Sequence, residues 1–408
     1  MNIAIIIYRL NIKGGTQRQA LELARELQKQ GHKTQIYAFY YDKEKTYTDL
    51  LEGLEITSLS DRIPDWNRQK KIFGVCSRPS FLLGWLADAR GAKAFARLIS
   101  RETNILNPHG NPAYMVSYYF KKEIKDIPAV WMLNTMPSKT WGFWKKKITD
   151  PDFHINPLKW LFYRALDFYE ALKFIRPHTI VVLDNADRDY AKKYLGKEAK
   201  VIRSGLRIES FPYKASVPLR DKTAKILLSG IFFEYRRFED ALKAAKILID
   251  KDYKIRVSIV GDYSNHPAYY EKLNFLSKEL GIDGEVKFLG TLSDKELVEI
   301  RQESDIAIFP YHLQSWGLAV FEAMACGTPV IVSRTLGASE VLTNGENALL
   351  VNPKSPQEIA WAIDRLVNDP ELYLKLSRNG RDFVEKNITW ERYAKEMLKI
   401  FEKALSER

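Results

Sequence analysis

Cysteine is scarce. The 408 residues hold two, Cys76 and Cys326, far apart in the chain. A disulfide scaffold and a four-cysteine zinc site are excluded, and the usage fits a reducing, cytoplasmic compartment. None of the six histidines pairs with another at ligand spacing, so no metal is expected. Asp150-Pro151-Asp152 and Asp187-Arg188-Asp189 have Asp-x-Asp spacing but read as solvated charges. No apolar run approaches the ~20 residues needed to span a bilayer. The opening run from Asn2 to Ile7 has no basic leader and no small-residue cleavage site, so it reads as a buried strand rather than a signal peptide. The loop after it, Asn11-Ile12-Lys13-Gly14-Gly15, is not G-x-G-x-x-G, which argues against a nicotinamide or flavin enzyme. No P-loop or nucleic-acid recognition motif is found either.

What is present is an ordinary globular composition, 46% apolar and 28% charged. At about 150 residues per domain the length suggests two large domains. The net charge of +12 is uneven. Residues 1–212 carry 35 Lys and Arg against 22 Asp and Glu, whereas residues 213–408 carry 28 against 29. The whole basic excess sits in the first half, which suits an anionic lipid or a phosphorylated substrate. Ten aromatics fall between Trp141 and Arg176, interleaved with lysine and arginine. Trp141, Phe143, Trp144 and Lys145 to Lys147 have the composition of an interfacial anchor. Leu158, Leu161, Phe162, Ala165 and Leu166 have the spacing of a helix face packed in a core.

Strand and helix alternate throughout. Continuous apolar strands are expected at Ile3–Tyr8, Thr34–Phe39, near Ile105, at Val130–Leu133 and at Ile180–Leu183. Five more follow at Ile226–Ser229, Arg256–Val260, Val286–Leu289, Ile306–Phe309 and Pro329–Val332, with helices starting near Arg237, His266, Ser293 and Gly317. Ser355-Pro356-Gln357-Glu358 is a well-formed helix start. Alternation of this kind predicts parallel sheets covered by helices on both faces. Apolar periodicity stops between Phe211 and Pro218. The expected class is α/β with two tandem doubly wound, Rossmann-like domains facing a central cleft. Residues 1–212 form the first and residues 213–387 the second. Ligands in such folds bind beyond the carboxyl ends of the strands.

The most informative stretch runs from Phe309 to Ile331. A buried strand ends at Phe309, and a loop leads to a short helix opening at Gly317-Leu318. The free amides of such an opening are a seat for phosphate. Glu322, one turn further on, sits among Phe321, Ala323, Met324 and Ala325, which argues for burial. A buried carboxylate needs donors, and sugar hydroxyls would serve.

Trp316-Gly317-Leu318 and Glu322-Ala323-Met324-Ala325-Cys326-Gly327-Thr328-Pro329-Val330 resemble the E-x7-E region of the family 4 glycosyltransferases of GT-B fold. The likeness extends to Gly14-Gly15, Gly31-His32, Pro108-His109-Gly110, Ser204-Gly205-Leu206, Gly337–Glu340, Asn344–Val351 and Trp390-Glu391-Arg392, so it covers nearly the whole chain. Two departures stand out. The first glutamate of the pair is Gln314. The family's G-R-L-x-x-x-K-G reads Gly230-Ile231-Phe232-Phe233-Glu234-Tyr235-Arg236-Arg237, with Ile231 at the arginine position and Arg236 at the lysine position.

The resemblance implies a retaining glycosyltransferase moving a hexose from a nucleotide diphosphate sugar to a lipid-linked or cell-envelope saccharide. The alternative is a catalytically weak or inactive nucleotide-sugar-binding relative. It implies catalytic roles for His109, Arg236 and Gln314. Donor binding would fall to Arg237, Gly230, Gly261, Gly317, Leu318 and Glu322, with Gly14 and Gly15 as the acceptor or phosphate loop. No cofactor and no metal are expected, the nucleotide sugar being a co-substrate. The resemblance also makes residues 388–408 a final helix crossing back to the first domain. The expected location is the cytoplasm, with the basic first half peripheral to an anionic membrane surface.

Overall fold

The computed structural model describes residues 1–62, 81–149, 153–264, 266–313 and 316–407. Cys76, Asp150, Pro151, Asp152 and Gln314 lie outside the described residues. The chain divides into two compact units, Met1–Arg203 with Trp390–Arg408, and Ser204–Thr389.

The first unit is built on a seven-stranded sheet in the order β3-β2-β1-β4-β5-β6-β7. Its strands are β1 (Asn2–Leu10), β2 (Lys33–Tyr41), β3 (Glu55–Ser58), β4 (Ile105–His109), β5 (Val130–Met132), β6 (Thr179–Val182) and β7 (Ala199–Val201). Every pairing is parallel. Side chains of a strand alternate between faces, so β1 feeds two cores. Ile3, Ile5 and Ile7 pack with Leu23 and Leu27 of α1 (Gly15–Lys29). Ala4 and Ile6 pack on the other face with Phe95 of α2 (Phe81–Ala96) and Val116 and Phe120 of α3 (Ala113–Glu123). Between β5 and β6 the chain makes α4 (Lys139–Thr149) and α5 (Pro157–Glu170), then a π-helical turn over Ala171–Ile175. Between β6 and β7 lies α6 (Asn185–Tyr190).

The second unit carries a six-stranded sheet in the order β10-β9-β8-β11-β12-β13, again parallel throughout. Its strands are β8 (Thr223–Ser229), β9 (Lys254–Val260), β10 (Val286–Gly290), β11 (Ile306–Phe309), β12 (Val330–Ser333) and β13 (Leu349–Val351). The helices are α7 (Phe238–Ile249), α8 (Pro267–Glu279), α9 (Asp294–Glu303), α10 (Leu318–Cys326), α11 (Pro356–Asn368) and α12 (Pro370–Asn387). Arg237, His266, Ser293 and Gly317, read from the sequence as helix starts, are the N-cap residues of α7 to α10.

The units divide at Arg203 and Ser204, ahead of the Phe211–Pro218 break. The chain after Ser204 is tied to the second unit: Leu206 N donates to Ile388 O, and Arg381 Nη1 donates to Phe211 O at 2.6 Å. The last helix, α13 (Trp390–Ser406), belongs to the first unit, where Trp390, Tyr393, Met397 and Phe401 fill the β1 core.

Leu158, Leu161 and Phe162, whose spacing also suits a core helix face, are exposed on α5. Trp141 instead packs into an aromatic cluster with Trp144, Tyr190 and Tyr194. The rings of Trp141 and Trp144 find partners on α6 and the turn behind it.

Candidate active site

In each sheet the strand order reverses next to its first strand, between β1 and β4 and between β8 and β11. These are the switch points where α/β sheets open a crevice at their carboxyl ends. In the second unit a cavity of about 200 Å³ lies there, lined by Ser229 and Gly230 at the end of β8 and by Val260 and Gly261 at the end of β9. Thr291, Leu292, Leu297, Arg301 and Ala319 complete it. Bare backbone at its floor is a steric necessity. Gly261 has φ +153°, and a methyl there would stand 2.0 Å from the Gly230 carbonyl oxygen. Gly317 caps α10 in the left-handed region at φ +74°, with Leu336 3.0 Å from where a Cβ would lie. No side chain caps that helix, and Ala319 in its first turn lines the cavity.

Glu322 has a protein partner. Arg301 Nη2 of α9 donates to Glu322 Oε2, and the two side chains are 5% and 12% exposed. The expected need for sugar hydroxyls is therefore already met in part by arginine. Thr328 Oγ1 donates to the Arg301 carbonyl at 2.7 Å, tying α9 to the end of α10. Sequence reasoning missed Arg301, because its helix reads Asp-Lys-Glu-Leu-Val-Glu-Ile-Arg-Gln-Glu, a solvated pattern.

The two arginines after β8 have different settings. Arg236 is buried in a 3₁₀ turn, with its guanidinium 4.3 Å above the Tyr311 ring. Tyr311 is itself fully buried, and its hydroxyl donates to Ser229 O. The His312 amide donates to Tyr235 O at 2.8 Å, fixing the turn against the loop after β11. Arg237, expected to bind the donor, is occupied internally. It grips Asp240 with Nε at 2.9 Å and Nη2 at 2.7 Å, and Glu239 lies 3.0 Å from Nη1. This bidentate pair closes the first turn of α7. Ile231, at the family's arginine position, is half-exposed.

In the first unit His109 ends β4 at the switch point, 1% exposed. Its Nε2 lies 2.8 Å from Asn107 Oδ1, while Asn107 Nδ2 donates to Val130 O at 2.7 Å. That second bond orients the amide, so Asn107 Oδ1 accepts and the histidine proton is on Nε2. Burial pushes the imidazole pKa down to about 3, so His109 is neutral, and its buried Nδ1 is an acceptor with no partner. Gly14 and Gly15 open α1, where Thr16 Oγ1 and Gln19 Oε1 both accept from Asn134 Nδ2, at 2.9 and 2.8 Å. The glycine loop, the carboxyl end of β5 and the Gly110 turn thus come together on one rim, with Gly110 nearest Thr16. Among the described residues no group of three His, Cys, Asp or Glu could hold a metal ion.

Residues 13–210 match the family described as Glycosyltransferase Family 4, and residues 210–383 match Glycosyl transferases group 1. An uncharacterized glycosyltransferase of Methanocaldococcus jannaschii is 28% identical over 198 residues, 48% of this chain and 49% of that protein. A D-inositol 3-phosphate glycosyltransferase of Corynebacterium urealyticum is 34% identical over 163 residues, 39% of this chain and 38% of the relative. The chain spans about half or less of the length of these curated relatives. A glycosyltransferase structure from Rickettsia africae superposes with TM-score 0.73 at 17% identity, covering 100% of this chain and 99% of the other. Anabaena HepE in complex with UDP and glucose gives 0.70 at 17% identity, over 99% and 100%. End to end the two family matches run from residue 13 to residue 383, and the chain belongs to the family 4, group 1 glycosyltransferases of GT-B fold.

Proposed function

We propose that the protein is a retaining hexosyltransferase that binds its nucleotide diphosphate sugar in the second unit. The observation that carries this is the cavity at the β8–β11 switch point, with a glycine floor and with Ala319 of the first turn of α10 and Arg301, the partner of Glu322, on its walls. The nucleoside would lie along Thr291, Leu292 and Leu297. Glu322 would meet the ribose hydroxyls, with Arg301 holding the carboxylate in position. The diphosphate would take the first amides of α10 and the Arg236 guanidinium.

The resemblance supplies the stereochemistry. The acceptor oxygen bonds to the anomeric carbon on the face from which the diphosphate leaves. The phosphate oxygen departs with the bonding pair and takes the acceptor proton. Amides and guanidinium next to that oxygen stabilise its developing charge. The His109 Nδ1 and the Gly14-Gly15 rim would receive hydroxyl groups in the first unit. The acceptor class is a lipid-linked or cell-envelope saccharide. A uridine donor is the first choice, since HepE was solved with UDP.

Gln314 supports a second reading, nucleotide-sugar binding with little transfer. An amide keeps an acceptor oxygen but lacks the charge that favours a cationic anomeric carbon. The test is a thermal-shift screen against UDP, GDP, ADP and TDP, followed by transfer assays on the parent and Gln314→Glu. Stabilisation by one nucleotide together with transfer by the parent supports the proposal. No shift with any nucleotide overturns it, and transfer only by Gln314→Glu establishes the second reading.

A further inference from the structure

Helix α5 is inside out. Its two acidic residues, Asp167 and Glu170, are 4% and 5% exposed. Asp167 accepts from Ser138 Oγ at 2.7 Å, Lys139 N at 2.9 Å, Thr140 N at 3.0 Å and Thr140 Oγ1 at 2.7 Å. It thereby caps the start of α4. Glu170 accepts from Lys139 Nζ at 2.6 Å and from the Tyr114 hydroxyl. The opposite face is apolar and open: Leu158 is 77% exposed, Leu161 61%, Phe162 48% and Phe168 66%. Leu158 and Asp167 are nine residues apart, and at about 100° per residue they stand on opposite sides of the helix. A water-facing helix has the reverse polarity.

We propose that α5 docks on the surface of an anionic lipid bilayer, its apolar stripe entering the headgroup boundary. A contiguous apolar patch of this kind marks an interaction surface, and the charges around it select the occupant. The only acids from Pro157 to Arg176 are Asp167 and Glu170, both buried, so the exposed charge on this segment, from Lys159, Arg164 and Arg176, is wholly positive. Two cavities of about 590 and 410 Å³ flank the helix, and Arg164 and Lys193 line both. Lys147 adds a cation to the first, and Arg176 and Lys197 add cations to the second, whose one carboxylate, Asp167, is held by its four donors. These clefts suit phosphate headgroups beside an inserted leucine and phenylalanine stripe. A second copy of the chain would bring cations against cations on the same face. The inference does not depend on the transferase reading, because its readout needs no sugar.

The experiment is co-sedimentation of the full chain with neutral phosphatidylcholine vesicles and with vesicles containing about one-third phosphatidylglycerol. Partitioning is expected to be at least about tenfold stronger on the anionic vesicles and to weaken at about 0.5 M salt. Leu158→Gln with Leu161→Gln removes exposed groups only, so the fold persists, and partitioning should fall at least about tenfold. Arg164→Gln with Lys193→Gln should lower binding to anionic vesicles alone, by roughly fivefold per cation. Undiminished binding of the leucine variant overturns the proposal. So does an absence of vesicle binding by the parent combined with a dimer, seen by sedimentation velocity, that the leucine variant dissolves.

Discussion

Removing the Glu322 carboxylate tests the site and the fold together. Glu322→Ala leaves the Arg301 guanidinium, 5% exposed, without its carboxylate. Breaking a buried ion pair from one side costs about 3–5 kcal/mol. Glu322 keeps some contact with solvent, so the low end, about 3 kcal/mol, applies. The second unit spans Ser204–Thr389, a length at which each kcal/mol moves the midpoint by about 2–4 °C. Calorimetry should therefore place its transition roughly 6–12 °C lower. Replacing both residues, Arg301→Met with Glu322→Met, removes the stranded charge and should return stability to within about 1 kcal/mol of the parent. Nucleotide response should not return with it. At a hundred times the parent dissociation constant, the best nucleotide diphosphate stabilises the parent by about 2.7 kcal/mol. Loss of one charged hydrogen bond to ribose weakens binding by about 1.5–3 kcal/mol. A hundredfold loss leaves only about 0.4 kcal/mol of stabilisation at the same concentration. The reasoning fails if Glu322→Ala is as stable as the parent, or if the double variant keeps the full nucleotide shift.

Three more outcomes follow from the geometry. Gly261→Ala drives a methyl to 2.0 Å from Gly230 O in a left-handed backbone, and should cost about 2–4 kcal/mol and abolish the nucleotide shift, read by differential scanning fluorimetry. His109 and His178 are both fully buried in the first unit with pKa values pushed down to about 3 by desolvation, so the unfolded chain binds more protons below pH 6.5 and stability falls as pH falls. Urea unfolding should give about 4 kcal/mol less at pH 5 than at pH 7, with His178→Phe removing about half; a flat profile would mean that water reaches both rings. Asp167→Ala strands the donors of Ser138, Thr140 and the α4 amides, and should destabilise the first unit by about 2–4 kcal/mol and speed proteolysis between α4 and α5.

The sheets were legible because buried parallel strands are near-continuous apolar runs. Ile3–Tyr8 falls within β1, and Val130–Leu133 and Ile180–Leu183 overlay β5 and β6 to within a residue at each end. β3 and β7 carried no such signal: they are edge strands of four and three residues, and β3 reads Glu-Ile-Thr-Ser. The glycines of the site were legible as motif members, but their reasons were not. That Gly261 must be bare follows from the Gly230 carbonyl across the β8–β9 pair, a contact no spacing rule contains. Arg301 was invisible for a similar cause. It precedes Glu322 by 21 residues on a separate helix, and only the crossover from α9 through β11 to α10 brings the two together. The setting of Arg237 was not legible either: it stands where the family has glycine, and Asp240 at i+3 holds it in a local bidentate pair that costs little chain entropy.

Helix α5 marks where periodicity stops being informative. A repeat of Leu158, Leu161, Phe162 and Ala165 says that a stripe exists, but not which way it faces. Direction was decided by a residue on the other side. Asp167 has four donors, two of them the opening amides of α4, and Glu170 has Lys139 and Tyr114. Turning the helix by half a revolution would bury the leucines, worth about 1.5–3 kcal/mol each. It would also take both carboxylates from their donors and leave the α4 amides uncapped. Each charge-assisted bond contributes about 1.5–3 kcal/mol, and six such donors outweigh four or five apolar side chains. The leucine face is therefore held outward by a buried polar pin. In water that arrangement leaves the cost of the exposed stripe unrecovered, and contact with lipid would recover it without disturbing a single one of the bonds that set it.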